Sequence, residues 1–488
     1  MTFGRLLFML AEARHGRCGA SRRQVASSSS VIPGVAVMTH LAALAQFVAR
    51  TPGSHVPPAA ITRARHALID VLGVAIAGSV EPVSKIIAQH VAATSRGVAT
   101  VITGGARVSA ADAALANATA GHALDFDDSN FVLGGHPTVA LMPALLAVAE
   151  ERGASGREIL EAYVIGFEIA TRLANAVHFE HYEKGWHPTA TLGVFGATAA
   201  VARLLRLTEA QVLNALALTA SMASGVKANF GSMAKPLQVG HASHKGVLCA
   251  QLAAAGLTAN PAALEGTQGF LEVYNGAGNY RAEAVSTFGE ELEIMRSGLK
   301  FKKYPSCGST HAPIDAALDL IRGRPLRAAD IDTVTIAINQ RRITHVNRPK
   351  VSNGLEGKFS IQYTVAAALA DGAISLRHFN DETVARPELQ QLVGHVNAVG
   401  IPDLESLSQR CELTVKLKDG STRSVRRDDA EGRGSDEFVR YLEPKFIDCV
   451  EQAYPREHAR ALFRDLDAFE TLTDIAPVMH KLAGPAAA

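Results

Sequence analysis

Between Thr39 and about Gly278 the apolar residues return at helical spacing, and near residue 300 that repeat shortens to two. This switch of period constrains the fold more than any other feature. Thr39 can cap a first helix, and Pro57-Pro58 can open a second that runs to Val74-Ala75. Ser155-Gly156-Arg157-Glu158 precedes an amphipathic run from Ile159 to Ala176. Thr208 and Gln211 have capping-box spacing. Small residues recur from Leu192 to Ala200, where they let helices approach closely. The first half therefore reads as all-α.

Beyond residue 300, Ile331–Ile338 and Cys411–Leu417 alternate with period two. Lys418-Asp419-Gly420 then turns the chain into a return strand through Arg423–Val425. Helical runs are predicted at Ala312–Ile321, Phe359–Ala370 and Pro387–Val396, and again at Phe438–Ala453 and His458–Leu472. The expected architecture is mainly α: a large helical domain (38–298 plus 436–480) with a smaller α+β lid (299–435) inserted in it. An interdomain cleft is a common place for a small-molecule site.

Apolar residues make up 48% of the chain and aromatics only 6%, so the core must be built from Ala, Leu and Val. The net charge of +1 and the lack of basic runs interleaved with aromatics give nucleic acid or an anionic membrane no global attraction. No run reaches the roughly 18 to 20 apolar residues of a spanning helix. The five cysteines are scattered without a C-x-x-C pair, which argues against a disulfide framework, a structural zinc or an iron–sulfur cluster. Residues 1–37 carry five arginines against one acid, followed by Ser27–Ser30. They read as a disordered or mis-started extension of a cytoplasmic, bacterial-like chain, with a mitochondrial transit peptide as the alternative.

Polar islands interrupt this apolar text. Gly121-His122-Ala123-Leu124-Asp125-Phe126-Asp127-Asp128-Ser129 is followed by His136-Pro137, and further islands are Gly185-Trp186-His187-Pro188, Met233-Ala234-Lys235-Pro236 and Lys302-Lys303-Tyr304-Pro305-Ser306-Cys307. Ionised groups rarely stay inside apolar sequence unless something pairs with them or uses them. At helical spacing Asp125 and Asp128 share a face and Asp127 points elsewhere. Proline after His136 and His187 sets each imidazole at a helix start or loop. Lys235 either snorkels to solvent or binds a carboxylate. Lys302, Lys303 and Tyr304 lie at the domain junction, as a substrate contact or a solvated hinge pair. Cys307 is a candidate nucleophile if a lysine lowers its pKa. His241 and His244 have i, i+3 spacing but no third ligand nearby, so no metal is expected. Gly276-Ala277-Gly278 lacks the third glycine of a dinucleotide loop, and P-loop and Gly-x-Ser-x-Gly signatures are absent. Acid/base work without a cofactor remains.

Taken together with Glu356-Gly357-Lys358-Phe359-Ser360, these motifs resemble the MmgE/PrpD family from about residue 39 to about 475. The resemblance implies a homodimer with a helical domain and an α+β lid, acting on a di- or tricarboxylate. The implied activities are 2-methylcitrate dehydratase-like lyase chemistry first, with iminodisuccinate-like epimerisation and cis-aconitate decarboxylation as alternatives. It implies active-site positions at Asp125, Ser129, His136, His187, Lys235, Lys302 and, in the lid, Tyr363. The decarboxylase branch has a histidine where this chain has Cys307. All three reactions move a proton at carbon next to a carboxylate, which needs cations on the carboxylate and a base for the proton. On that reading Lys235, Lys302 and His187 hold substrate carboxylates, and His136 carries the proton. Asp125 sets its tautomer or shares its role, and Cys307 is a second acid/base. The alternative from another class is a silent module that binds a polyanion.

Overall fold

The computed structural model describes residues 38–405, 408–430 and 434–484. The expectation for residues 1–37 lies outside the described residues. The molecule is mainly helical and carries two large hydrophobic cores, with a small third cluster of Val74, Ala77, Leu124, Phe126 and Cys449. One large core gathers residues from Leu41 to Phe301 and from Phe438 to Leu482, and the other residues from Tyr304 to Ala430.

The predicted helix starts have physical counterparts. Thr39 accepts from Ala42 N ahead of helix His40–Arg50, Pro58 opens helix Pro58–Ser79, and full capping boxes start helices Gly156–Glu183 and Glu209–Ala220. Helix Gly193–Leu204 brings Gly196 against Gly166 of the long helix Gly156–Glu183. One departure from the all-α reading is a short antiparallel pair, Ala99–Thr100 with Arg107–Val108.

Two helices position the site. Helix Ala110–Ala123 packs along helix Ala234–Ala254 so closely that a Cβ on Gly240 would meet Leu115 O at 2.6 Å. Because Lys235 begins the second helix and Ala123 ends the first, this pairing carries the lysine to the residues just after Ala123.

In the second core a four-stranded sheet runs in the order Val396–Ile401, Ile331–Asn339, Cys411–Leu417, Thr422–Arg427. The first pair is parallel and the others antiparallel. Cys411, Leu413, Val415 and Leu417 alternate inward beneath helices His311–Ile321 and Ile361–Asp371. The strand Val396–Ile401 was not expected. The helix before it ends at Val393, because Gly394 closes it and the β-branched Val396 and Val399 take up pairing with Ile331–Asn339.

Candidate active site

The helix Ala110–Ala123 stops at Leu124, and Asp125 takes a left-handed backbone, φ 53°. That turn overturns the helical-face argument. Asp125 and Asp127 both reach the cluster of imidazoles, whereas Asp128 turns into the core, where Thr138 Oγ1 donates to it and shares a 2.6 Å contact with Tyr163. Burial pushes the Asp128 carboxyl well up. The chain after Asp128 is tied to the segment that links the two large cores by paired backbone bonds between Ser129 and Lys300, 2.9 and 2.7 Å, which deliver Lys302 to the same spot.

Lys235 Nζ lies 2.6 Å from Asp125 Oδ1, and Lys302 Nζ lies 3.0 Å from Oδ2. All three side chains are buried. Burial alone would raise the Asp125 carboxyl, but Lys235 and Lys302 outweigh it and hold it well below the usual carboxylate range. Lys358, from the second core, donates to Leu124 O at 2.7 Å, and burial lowers its pKa to about 8. Two ammoniums thus flank one carboxylate, while the third holds the backbone carbonyl beside it.

Opposite them stand three imidazoles. Asp127 accepts from His122 Nδ1 at 2.9 Å and lies 3.3 Å from His136 Nδ1. His136 Nε2 lies 3.7 Å from Asp125 Oδ1, so this ring sits between two carboxylates. Its main chain is fixed by His136 N donating to Thr189 Oγ1. Burial lowers His122 to about 4, and it lowers His187 well below the ordinary value, so both are neutral near pH 7. An ionised Asp127 can only accept, which puts the His122 proton on Nδ1 and leaves Nε2 bare, buried and without a hydrogen-bond partner. His187 Nδ1 faces Gln238 Oε1 at 2.8 Å, and its ring meets Phe230 edge-on. His136 and His187 each precede a proline that opens a helix, as their sequence context implied.

The structure brings Asp125, His136, His187, Lys235 and Lys302 together. Cys307 is half-buried nearby, its N–H donating to Lys358 O. Ser129 spends its hydroxyl on Lys300 O at 3.3 Å. Lys303 is not brought to the cluster: side chains of successive residues in an extended segment diverge, and its ammonium turns to Asp315 at 3.2 Å. Tyr363 is also directed elsewhere, since it is fully buried in the second core and donates to His378 O. His122, Asp127 and Lys358 were not assigned roles from sequence, although each stood inside a quoted motif.

Ligand atoms of His122, Asp125, Asp127 and His136 all lie within 4.8 Å of one another, which corrects the expectation that no metal-ligand cluster exists. A cation there would have to displace two ammoniums from Asp125. His244 reaches Asp112 at 3.7 Å, outside this group.

The chain matches the MmgE/PrpD N-terminal domain over residues 42–283 and the MmgE/PrpD C-terminal domain over residues 304–468. It belongs to the MmgE/PrpD family. It is 30% identical over 447 residues to cis-aconitate decarboxylase of Homo sapiens, covering 88% of this chain and 92% of the human protein. It is 27% identical to cis-aconitate decarboxylase of Aspergillus terreus over 369 residues, 70% of this chain and 74% of that one. The 2-methylcitrate dehydratase of Cupriavidus necator is 27% identical over 334 residues, 61% of this chain and 66% of the relative. Relatives in this family are thus enzymes whose names point to small carboxylates.

Proposed function

We propose that this chain is a lyase acting on a small di- or tricarboxylate by acid/base proton transfer at the carbon next to a carboxylate. The observation that carries the reading is the opposition of the Lys235–Asp125–Lys302 cluster to the His122–Asp127–His136 chain. Ammoniums that hold a substrate carboxylate stabilise the carbanion or enolate that forms beside it, and an imidazole between carboxylates can pass a proton either way. His136 is the proton carrier: of the two rings on Asp127 it is the partly exposed one, 14% against 0% for His122.

The names of the relatives covered at greatest length favour cis-aconitate as first substrate and decarboxylation as first reaction. In that reaction the bond to the departing CO₂ breaks. Its electron pair moves through the alkene, and protonated His136 supplies a proton to the far carbon. Cys307, standing where the family resemblance puts a histidine in the decarboxylase branch, favours a second reading: dehydration of a 2-methylcitrate-like hydroxy acid, in which a base removes the α-proton and an acid protonates the leaving hydroxyl.

Incubation with cis-aconitate, 2-methylcitrate, citrate and iminodisuccinate, with products identified by mass and by chiral chromatography, tests the proposal. Conversion of one of them is expected, and CO₂ or water loss names the branch. An inert protein across the panel would overturn the lyase reading in favour of a polyanion-binding module.

A further inference from the structure

Three lysines from distant parts of the chain donate to three consecutive backbone carbonyls. Lys358 Nζ reaches Leu124 O at 2.7 Å, Lys302 Nζ reaches Asp125 O at 2.5 Å, and Lys445 Nζ reaches Phe126 O at 2.8 Å. Each comes from a different element: the turn before helix Ile361–Asp371, the domain junction, and helix Ser435–Val450. The middle carbonyl belongs to Asp125, whose left-handed backbone Asp adopts more readily than most non-glycine residues, though less freely than glycine. Lys445 is also paired with Asp70 at 2.7 Å, and its ammonium lies 3.9 Å from the centre of the Phe126 ring. Asp70 stands alone among apolar residues of helix Pro58–Ser79, and none of the proposed chemistry uses it.

We propose that Lys358 and Lys445 are positioning residues that, with Lys302, brace the Leu124–Phe126 carbonyls and so fix Asp125 between its two ammoniums. A carbonyl held by a charged donor cannot rotate without breaking a charge-assisted bond, so the three together hold the peptide planes on both sides of Asp125. Its carboxylate then points at Lys235 and Lys302 without reorganisation when substrate arrives. Lys358 also ties the second core to the proton-transfer site, so displacing the lid would release one arm of the brace. The inference rests on the proposed chemistry at Asp125, but one of its readouts does not.

The test uses the full chain carrying Lys358→Met, Lys358→Arg, Lys445→Met, or the double substitution Lys445→Met with Asp70→Asn. The double variant removes the buried pair together, so no unpaired charge remains to prevent folding. Misplacing a reacting group by about 1 Å can lower the rate about 100-fold, so kcat should fall on that order in Lys358→Met and in the double variant, with KM little changed. Lys358→Arg, which keeps a charged donor, should recover most of the loss. Hydrogen exchange followed by mass spectrometry should show faster exchange in the peptide spanning 124–130 in every Met variant. A double variant at the wild-type rate would reduce Lys445 to a counter-charge for Asp70 and overturn its role. Unchanged exchange in the 124–130 peptide would overturn the brace itself. If wild-type protein converts no polycarboxylate, the function reading fails and exchange alone decides the brace.

Discussion

Replacing Asp125 by Asn separates the charge of this residue from its backbone. Asn is among the few residues that accept a left-handed φ, so the turn after helix Ala110–Ala123 should survive. What is lost is the carboxylate between Lys235 at 2.6 Å and Lys302 at 3.0 Å, in a setting where all three residues are at most 7% exposed. Removing one partner of a buried ion pair costs about 3–5 kcal/mol, because the remaining charge stays buried and uncompensated. With an unfolding entropy of about 2 cal/mol/K per residue, a chain of this size shifts about 1 °C per kcal/mol, so the melting midpoint should fall by about 3–5 °C. Asp125→Ala should fall by about 1–2 kcal/mol more, from the backbone. Because Lys235 and Lys302 hold the Asp125 carboxyl below its unfolded value, its contribution is complete above the ordinary carboxylate range and disappears only as pH falls through the depressed value. The gap between wild type and Asp125→Asn should therefore be flat from about pH 5 to 8. Thermal denaturation with and without tricarballylate, an unreactive tricarboxylate, is the assay. The variant's midpoint should rise more with ligand than that of wild type, since a ligand carboxylate replaces the missing one. A variant as stable as wild type, with no larger ligand response, would refute the reasoning.

Other consequences follow from the same geometry. A Cβ at Gly135 would fall 2.8 Å from Thr189 N and 2.7 Å from the Thr189 hydroxyl that anchors His136 N, so Gly135→Ala should lower turnover by displacing the imidazole. Steady-state kinetics on a variant with an unchanged circular dichroism spectrum checks this. His122 is lowered to about 4 by burial, so its neutral form stabilises the fold fully above its unfolded value near 6.5. That contribution declines from there to about pH 4, and urea midpoints across this window should fall less steeply in His122→Asn. Dialysis against a chelator should leave activity intact, because the Asp125 oxygens are already held by two ammoniums; restoration of lost activity by a divalent cation would assign the His122–Asp125–Asp127–His136 cluster to a metal.

Much of the site was legible because its residues are polar islands in apolar text, and such islands need a partner. Asp125, His136, His187, Lys235 and Lys302 stand out in this way, and proline after each histidine locates it at a helix start. The partners were less legible. His122 lies in the last turn of a helix whose sequence, apart from Asp112 and Leu115, is otherwise Ala, Asn, Thr and Gly, and only the turn at Asp125 brings Asp127 back to it. Helical spacing points Asp127 away from Asp125, but the helix ends at Ala123 and that spacing no longer holds beyond it. The Asp70–Lys445 pair joins residues 375 positions apart in sequence, so no local pattern links them, although an acid between Ile69 and Val71 is itself a signal of burial with a partner. Lys303 and Tyr363 failed for the opposite reason. Lys303 stands in a quoted motif and Tyr363 is implied only by the resemblance, but the direction of each side chain is set by backbone alternation and core packing rather than by neighbouring letters.

Proton NMR in D₂O tests the central claim most directly, comparing wild-type protein with His136→Ala on the polycarboxylate panel. Wild type should exchange a carbon-bound proton next to a carboxylate in at least one member, or place a deuteron at that carbon in its product. His136→Ala should bind that compound and do neither. Exchange at the wild-type rate in His136→Ala would contradict the proton-transfer assignment.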